Sequence, residues 1–509
     1  MLRGILTVGG WTMVSRILGF ARDVLIAALV GAGPIGDAFF LANRLPNLFR
    51  RLFGEGAFNA AFVPGFTGVL AREGREAAQH FAEQAAAVLA FWLVGLTILA
   101  EIFMPQIIRV FLPGFAGDPA LFDLTVTLAR ITFPYMPLIC LAALFSGVLN
   151  GLDRFAAAAA APVIYNVVSI GCMLLLVPYV PNAGHALAWG VSISGVAQLG
   201  LLIWAVRRAG LRITLPRPRL TPPIRQLFRR MAPGLVGAGA MQLNLFIDGV
   251  IISLLPASTA SVLYFADRIA QLPLGVIGVA VGTALLPTLS RQREAGDAAG
   301  AQASLNRALE VALALILPAA LALALVALPI VTVLFQRGAF DAADAAQTAR
   351  ALAAYALGVP AYVLIKVLAP GFFARGDTAT PVRVALGAVA LNIALNLAFM
   401  GPLGYLGPAL ASSLSAWANV IALAVLLARA GDLAPDAILR RRLPRMALAA
   451  LAMGAALLAL EHFVYAPFAA DPALRWAGLA VLVAGGLAAY GLAGTLFGAF
   501  RPRDLLRRR

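Results

Sequence analysis

Residues 311–335 read VALALILPAALALALVALPIVTVLF, a stretch without a single charged side chain. About 20 apolar residues in a helix are enough to cross the hydrocarbon core of a bilayer. Similar stretches recur along all 509 residues, of which 61% are hydrophobic and only 12% charged, and the mean hydropathy is +0.90. Because a soluble domain carries about 25% charged residues, the composition predicts an all-α polytopic membrane protein.

Fourteen transmembrane helices are predicted, and they are numbered here as spans 1 to 14. Their ranges are 5–30, 36–63, 77–104, 123–149, 158–178, 185–206, 232–255, 260–289, 307–335, 346–373, 381–400, 405–429, 445–464 and 475–499. Since fourteen is an even number, both termini lie on the same side of the membrane.

Arginines in the connecting loops indicate which side that is. The termini and the loops after even-numbered spans hold 27 arginines, whereas the loops after odd-numbered spans hold three: Arg109, Arg337 and Arg475. Cytoplasmic loops carry the excess of positive charge, so both termini are predicted to be cytoplasmic. The net charge of +16 therefore does not indicate nucleic-acid binding, which would collect the charge on one domain.

The sequence offers no candidate for a metal site, a cofactor or a catalytic centre. The two cysteines, Cys140 and Cys172, lie in apolar stretches, and His80, His185 and His462 lie far apart. This spacing provides neither a disulfide framework nor a metal-binding Cys/His set. No Ser/His/Asp set, paired carboxylates or phosphate-binding loop occurs at a membrane edge, so the chain is not expected to be an enzyme.

An internal repeat divides the chain. Residues 42–47 (ANRLPN) resemble residues 266–271 (ADRIAQ), and further weak matches follow in the same order at nearly the same interval. A repeat of six spans predicts two parallel lobes with pseudo-two-fold symmetry about the membrane normal; chance similarity between apolar helices is the alternative. The predicted domains are an N-lobe (1–206), an Arg/Pro-rich cytoplasmic linker (207–231), a C-lobe (232–430), and helices 13 and 14 with a basic cytoplasmic tail (431–509).

Eight arginines fall inside predicted spans, where an ionised side chain is costly and normally faces water or a partner. They are Arg16, Arg22, Arg44, Arg50, Arg51, Arg130, Arg268 and Arg350. Arg130 and Arg350 lie near helix starts, where a long side chain can extend to the interface. Spans 1 and 2 hold five of the others, with only Asp23, Asp37 and Glu55 as nearby acids.

This excess of positive charge has two interpretations. The arginines bind an anionic substrate in a water-filled cavity between the halves, or they form salt bridges between helices without a substrate. Arginine in preference to lysine suits phosphate, because its planar fork donates two parallel hydrogen bonds. Ser15 shares a face of span 1 with Arg22, and Asn47 shares a face of span 2 with Asp37 and Arg44.

The residues of these spans carry a family resemblance. Residues 15–23 (SRILGFARD), 36–40 (GDAFF) and 44–58 (RLPNLFRRLFGEGAF) resemble the N-terminal signature of the MurJ (MviN) family. Residues 264–268 (YFADR) and 366–375 (KVLAPGFFAR) are similar to its C-terminal half. The resemblance covers essentially the whole chain.

Membership would imply a lipid II flippase of the multidrug/oligosaccharidyl-lipid/polysaccharide exporter superfamily. Such a protein has two six-helix lobes and two extra C-terminal helices, whose groove carries the polyprenyl tail. It moves the undecaprenyl-pyrophosphate-linked peptidoglycan precursor outward across the bacterial inner membrane, by alternating access, for peptidoglycan synthesis and cell shape. The expected partners are lipid II, membrane lipid and candidate cell-wall synthesis proteins; no cofactor is implied, and the chain is expected to act as a monomer.

The resemblance also assigns roles to residues. It implies that substrate is bound by Arg16, Arg22, Arg50, Arg51, Arg268, Ser15 and Asn47. Gating or counter-charge roles fall on Asp37, Glu55 and Asp267. One position departs from the family, because Gln271 stands where an acid usually follows the span-8 arginine by three residues, and that puts the acid's role in doubt.

Three other functions remain to be weighed. A multidrug exporter, or an exporter of another polyprenyl-linked saccharide, of the same superfamily is the alternative; a multidrug or ion-coupled exporter would be expected to have an acidic cavity. A transferase acting on polyprenyl phosphates would require clustered aspartates with a metal. A scaffold for the cell-wall machinery would leave the intramembrane arginines unexplained.

Overall fold

The structure, a computed structural model, describes residues 2–51, 57–469, 471 and 474–499, and every regular element in these ranges is helical. The chain divides into two compact units, Met1–Ser261 and Val262–Arg509. The helices up to the boundary are α1 (Leu2–Val30), α2 (Pro34–Ala42), α3 (Arg44–Phe49), α4 (Ala57–Ile102), α5 (Met104–Phe111), α6 (Pro119–Thr132), α7 (Tyr135–Gly151), α8 (Phe155–Leu176), α9 (Ala183–Arg208) and α10 (Pro222–Ser253).

The remaining helices begin with α11, which opens just before the boundary. They are α11 (Thr259–Pro273), α12 (Val279–Glu294), α13 (Ala298–Leu325), α14 (Ala327–Phe335), α15 (Ala342–Ala356), α16 (Val359–Phe373), α17 (Ala379–Phe399), α18 (Gly407–Arg429), α19 (Ala437–Leu460), α20 (Ala466–Ala469) and α21 (Arg475–Leu496). Short π-helical segments, Leu274–Gly278 and Glu461–Tyr465, follow α11 and α19.

Ten helical segments of the described chain are long and apolar enough to cross a membrane. They correspond to predicted spans 3 to 6 and 9 to 14, so the multi-pass, all-helical class is confirmed. The four other predicted spans are 1, 2, 7 and 8. Spans 1, 2 and 8 carry six of the eight arginines that lie inside predicted spans, and spans 2 and 8 are divided into shorter helices. An intramembrane arginine, a helix break or both therefore occur in three of these four segments.

Helix order repeats along the chain. Each helix from α5 to α9 has a counterpart among α14 to α18, and the interval between the two starts is almost constant, from Met104 and Ala327 to Ala183 and Gly407. The capping residues repeat as well: Asp118 accepts hydrogen bonds at the start of α6, and Asp341 does so at the start of α15. A carboxylate in this position satisfies amide groups that have no partner within the helix.

Prolines and glycines explain the breaks. Pro46 has no N–H to donate to the carbonyl of Ala42, and α2 ends at Ala42. Asn43 separates it from α3. Within α4 the backbone leaves helical geometry at Gly74, whose φ of 86° is readily adopted only by glycine. Pro273 lacks an amide donor immediately before the first π-helical segment, where the hydrogen-bond spacing changes.

Residues 209–219, which connect α9 to α10, lie along α4 as a strap. Gln79 donates to the carbonyl of Arg212 at 2.9 Å, and Gln84 accepts from the amide of Arg219 at 3.2 Å. The buried carboxylate of Glu83 accepts from both the amide and the hydroxyl of Thr214, at 3.1 and 3.0 Å. The predicted linker is thus fixed by hydrogen bonds to the first unit.

Candidate functional site

A polar network joins α1 to α8 in the first unit. The carboxylate of Asp23 accepts from Nε and Nη2 of Arg22, at 3.3 and 2.8 Å. Nη1 of Arg22 donates to Oδ1 of Asn166 at 3.1 Å, and the guanidinium lies 5.3 Å from the ring centroid of Tyr165. Asp23 and Asn166 are buried, so the arginine charge is compensated away from solvent.

Asn166 also reaches the predicted substrate-binding residue Ser15. Its Nδ2 donates to the carbonyl of Ser15 at 3.0 Å and lies 3.5 Å from the serine hydroxyl. Gly19, one turn further along α1, faces the same amide, and a Cβ there would lie 3.6 Å from Nδ2. The helical spacing of Ser15, Gly19 and Arg22 therefore presents one face of α1 to α8, as expected.

Asp37 is buried in the same unit, in the first turn of α2. Its Oδ1 accepts from the amide of Ser261 at 2.8 Å and from the hydroxyl of Ser261 at 2.6 Å, at the start of α11. The serine hydroxyl is so close to α2 that a Cβ on Gly36 would come within 2.5 Å of it. A carboxylate at a helix N-terminus is stabilised by the helix dipole.

The end of span 2 holds a second, smaller group. Nε of Arg50 donates to Oδ1 of Asn47 at 3.1 Å, and Nδ2 of Asn47 donates to the carbonyl of Asn43 at 2.8 Å. These contacts bridge the break between α2 and α3. Arg16 and Arg51 are exposed, so the structure places them at the surface of the unit.

Arg44 lies in the same unit but contacts a different helix, α10. The carboxylate of Asp248 on α10 is close enough to interact electrostatically with Arg44, and Nη1 of Arg44 approaches Gly249. The structure therefore places Asp248 beside Arg44, a partner that helical spacing alone does not identify.

In the second unit, Arg268 is half-buried on α11 beside Tyr264. Its Nη2 donates to the tyrosine hydroxyl at 3.2 Å, and its guanidinium lies 4.9 Å from the ring centroid. Gln271 donates a hydrogen bond to the carboxylate of Asp267 one turn earlier. An acid at position 271 would instead repel that carboxylate, so glutamine changes the local charge balance by one unit.

Three residues of the network were not predicted from the sequence. Asn166 and Tyr165 stand in an apolar stretch of α8, where an isolated amide is itself a signal, but its partner on α1 cannot be read from spacing. Ser261 gives no such signal. Glu55, a predicted gating residue, lies outside the described residues.

These groups can do two things chemically. Guanidinium groups held at fixed positions donate charge-assisted hydrogen bonds to phosphate oxygens. A buried carboxylate on the start of another helix can form or break a contact as helices move. Among the described residues, no group of three or more Cys, His, Asp or Glu side chains is placed to hold a metal ion.

Comparison with known proteins places this arrangement in a family. The family model for Lipid II flippase MurJ matches residues 26–473. A protein of Rhizobium meliloti (strain 1021), named Probable lipid II flippase MurJ, is 43% identical over 496 residues, covering 96% of this chain and 92% of the relative.

Two solved structures share the fold. One, described as Lipid II flippase MurJ in an inward closed conformation, has a TM-score of 0.81 and 25% identity, covering 98% of this chain and 99% of its own. The other, an inward-facing multidrug resistance MATE family transporter of the MOP superfamily, has a TM-score of 0.68, covering 84% of this chain and 98% of its own. At 14% identity its likeness concerns the fold alone. Since the family model covers most of the sequence and the Rhizobium relative aligns with nearly all of it, this protein belongs to the MurJ family.

Proposed function

We propose that this chain is a lipid II flippase, which moves the undecaprenyl-pyrophosphate-linked disaccharide-pentapeptide from the cytoplasmic to the outer face of the bacterial inner membrane. It serves peptidoglycan synthesis and cell shape, and it acts as a transporter rather than an enzyme. The observation that carries the proposal is the family match over residues 26–473. Its polar side chains supply the physical support.

Recognition of the substrate is assigned to the arginine-bearing helices. The residues assigned to the pyrophosphate and the adjoining sugars are Arg16, Arg22, Arg50, Arg51, Arg268, Ser15 and Asn47. Arginine suits this role because it stays charged and its fork matches two phosphate oxygens. A multidrug exporter of the same superfamily has no evident use for this set.

Transport proceeds by alternating access of a polar cavity to the two sides of the membrane. The bound anion offsets the repulsion between cationic walls, so that closure is favoured when substrate is present. The contact of Asp37 with Ser261 serves as a gate that holds one side shut. Glu55 and Asp267 supply counter-charge, and Gln271 lowers the negative charge beside Asp267.

The topology that fits this function has fourteen spans with both termini in the cytoplasm. The N-lobe covers 1–206, the C-lobe 232–430, and residues 431–509 add two helices that accommodate the polyprenyl tail. The nearly constant interval between corresponding helix starts supports the lobes, and the arginine distribution supports the orientation. We take the functional form to be a monomer, with cell-wall synthesis proteins as candidate partners.

The test is complementation in cells depleted of their own flippase, with outward-facing lipid II measured directly. The unaltered chain should restore both growth and surface lipid II. Arg130→Ala is the matched control, because Arg130 is exposed and its Nε donates to a backbone carbonyl, that of Glu101, at 3.3 Å. A chain that reaches the membrane in normal amounts and yet leaves surface lipid II unrestored would overturn the proposal.

A further inference from the structure

A cavity of about 430 Å³ lies at one end of the first unit, apart from the network around Arg22. It is largely open to the outside and is bordered by the end of α7, the start of α8 and the end of α9, with Leu149, Phe155 and Trp204 among its lining residues. Its volume falls within the range of small-molecule sites. In the proposed orientation this end faces the cytoplasmic leaflet.

The cavity combines cationic and apolar walls. Arg154 and Arg208 both line it and both are exposed. Within the described part of the chain, neither guanidinium forms an ion pair with a carboxylate. Arg208 lies 5.4 Å from the ring centroid of Trp204, which is 55% exposed. Tryptophan in this setting is typical of the membrane–water interface.

We propose that this cavity binds the headgroup of an anionic phospholipid from the cytoplasmic leaflet. The phosphate lies between Arg154 and Arg208, and the first carbons of an acyl chain pack on the exposed rings of Phe155 and Trp204. A free phosphate would leave the apolar wall uncovered. Two arginines and one aspartate, Asp153, give the cavity a net positive charge, which a lipid of net negative charge offsets and a zwitterionic lipid does not.

Asp153 narrows the choice of headgroup. It also lines the cavity, it is exposed, and its carboxylate has no hydrogen-bond donor among the described residues. A carboxylate beside a phosphate is tolerated when a hydroxyl group donates to it. The site therefore favours a polyol headgroup such as that of phosphatidylglycerol over phosphatidic acid.

The test uses the full chain, purified in detergent and stripped of lipid, then titrated with phosphatidylglycerol or with phosphatidylcholine of the same acyl chains. Bound lipid is counted by native mass spectrometry. We expect one phosphatidylglycerol to bind more tightly than phosphatidylcholine and than phosphatidic acid. Arg154→Gln with Arg208→Gln should weaken that binding more than tenfold, because one charge-assisted hydrogen-bonding partner alone contributes about a factor of ten.

Two further variants separate a built site from general positive charge. Ala156→Trp fills the cavity without changing any charge, and it should also lose the bound lipid. Arg217→Gln with Arg219→Gln removes two equally exposed arginines of the strap, and it should bind as the unaltered chain does. Equal loss in the strap variant and the cavity variant would overturn the proposal, as would unchanged binding in Ala156→Trp.

Lipid II is the last ligand to be tested. The cavity lies apart from the proposed pyrophosphate-binding arginines, so the cavity variants should bind lipid II normally and support its flipping. If lipid II displaced phosphatidylglycerol from the cavity in a competitive titration, the cavity would belong to the substrate path, and the phospholipid assignment would be wrong. Failure of the flippase proposal itself would leave the phosphatidylglycerol titration unchanged.

Discussion

Side chains set the chemistry of this protein through a few buried hydrogen bonds. Arg22 is fixed by Asp23 on its own helix and by Asn166 on α8. Fixing a guanidinium beforehand lowers the entropy lost when a phosphate binds. The arrangement therefore suits recognition as well as neutralisation of the charge.

Replacing Arg22 tests that role. Arg22→Ala should weaken lipid II binding roughly tenfold to a hundredfold, since one charge-assisted hydrogen-bonding partner contributes about 1.5 to 3 kcal/mol. Arg22→Lys should bind better than Arg22→Ala but less well than the unaltered chain, because lysine keeps the charge and loses the fork. Native mass spectrometry of the purified variants with lipid II measures both.

The same reasoning applies to Arg268, and Arg130→Ala is again the control. We expect Arg268→Ala to fail as the sole flippase while inserting normally, since removing an intramembrane charge favours insertion. If Arg22→Ala and Arg268→Ala bound lipid II as tightly as the unaltered chain, these arginines would be structural.

Asn166 allows a sharper test of positioning. Asn166→Ala removes the acceptor for Arg22 and the donor to Ser15, which should impair flipping and lower the free energy of unfolding by about 1 to 3 kcal/mol. Ser169→Ala is the matched control, because Ser169 is buried on the same helix and its hydroxyl meets that of Ser194 at 3.1 Å, away from Arg22. Thermal unfolding and complementation should both separate the two variants; equal behaviour would contradict the positioning role.

Sequence alone placed Ser15, Arg22 and Asp23 on one face of span 1, because helical spacing fixes which residues of a helix share a face. It did not identify Asn166 or Ser261. Both act across helices, and the pairing of residues so far apart in the chain depends on packing that spacing does not encode. Prediction of the site was therefore better for the residues of one helix than for their partners on another.

At the scale of elements, one group of polar side chains lies at a break in a predicted span, where Asn47 and Arg50 follow Asn43. Pro46 predicted a kink in span 2, and the structure has the break at Asn43. This is next to Ala42, whose carbonyl the proline cannot pair. Span 4 was predicted as one helix and comprises α6 and α7, which together are long and apolar enough to cross a membrane. Apolar composition predicts a span, but it does not predict interruptions within it.

The contact between Asp37 and Ser261 joins two helices, because it fixes α2 to the first turn of α11. Asp37→Asn replaces a charged acceptor with a neutral amide and should impair flipping at normal protein levels. Ser261→Ala removes only the hydroxyl and leaves the 2.8 Å hydrogen bond from the backbone amide of residue 261 to Asp37, so its effect should be smaller. Complementation by both variants measures the difference, and full activity of Asp37→Asn would leave only a structural role.

Glu310 joins two helices of the second unit. It lies on α13 and accepts hydrogen bonds from Arg307 of the same helix and from Arg442 of α19. Glu310→Gln leaves two arginines without their shared counter-charge, so we expect the free energy of unfolding in detergent to fall by about 1 to 3 kcal/mol. Glu294→Gln, at an exposed carboxylate, should leave the unfolding transition in place.

For the whole molecule, the proposed orientation predicts on which side of the membrane each loop lies. In a chain whose Cys140 and Cys172 have been replaced by serine, Ala339→Cys should react with a membrane-impermeant thiol reagent added to spheroplasts, whose outer membrane has been removed. Arg217→Cys should react only after the cells are opened. External labelling at position 217 would contradict the fourteen-span orientation.

The strap along α4 also has a consequence for the order in which the chain folds during translation. Its partners Gln79, Glu83 and Gln84 all precede it in the sequence, so they leave the ribosome before the strap does. N-terminal segments fold first during synthesis, and the strap can therefore be fixed while the second half is still being translated. The next helix to insert, α10, then starts from an anchored end of the nascent protein rather than from a loose tether.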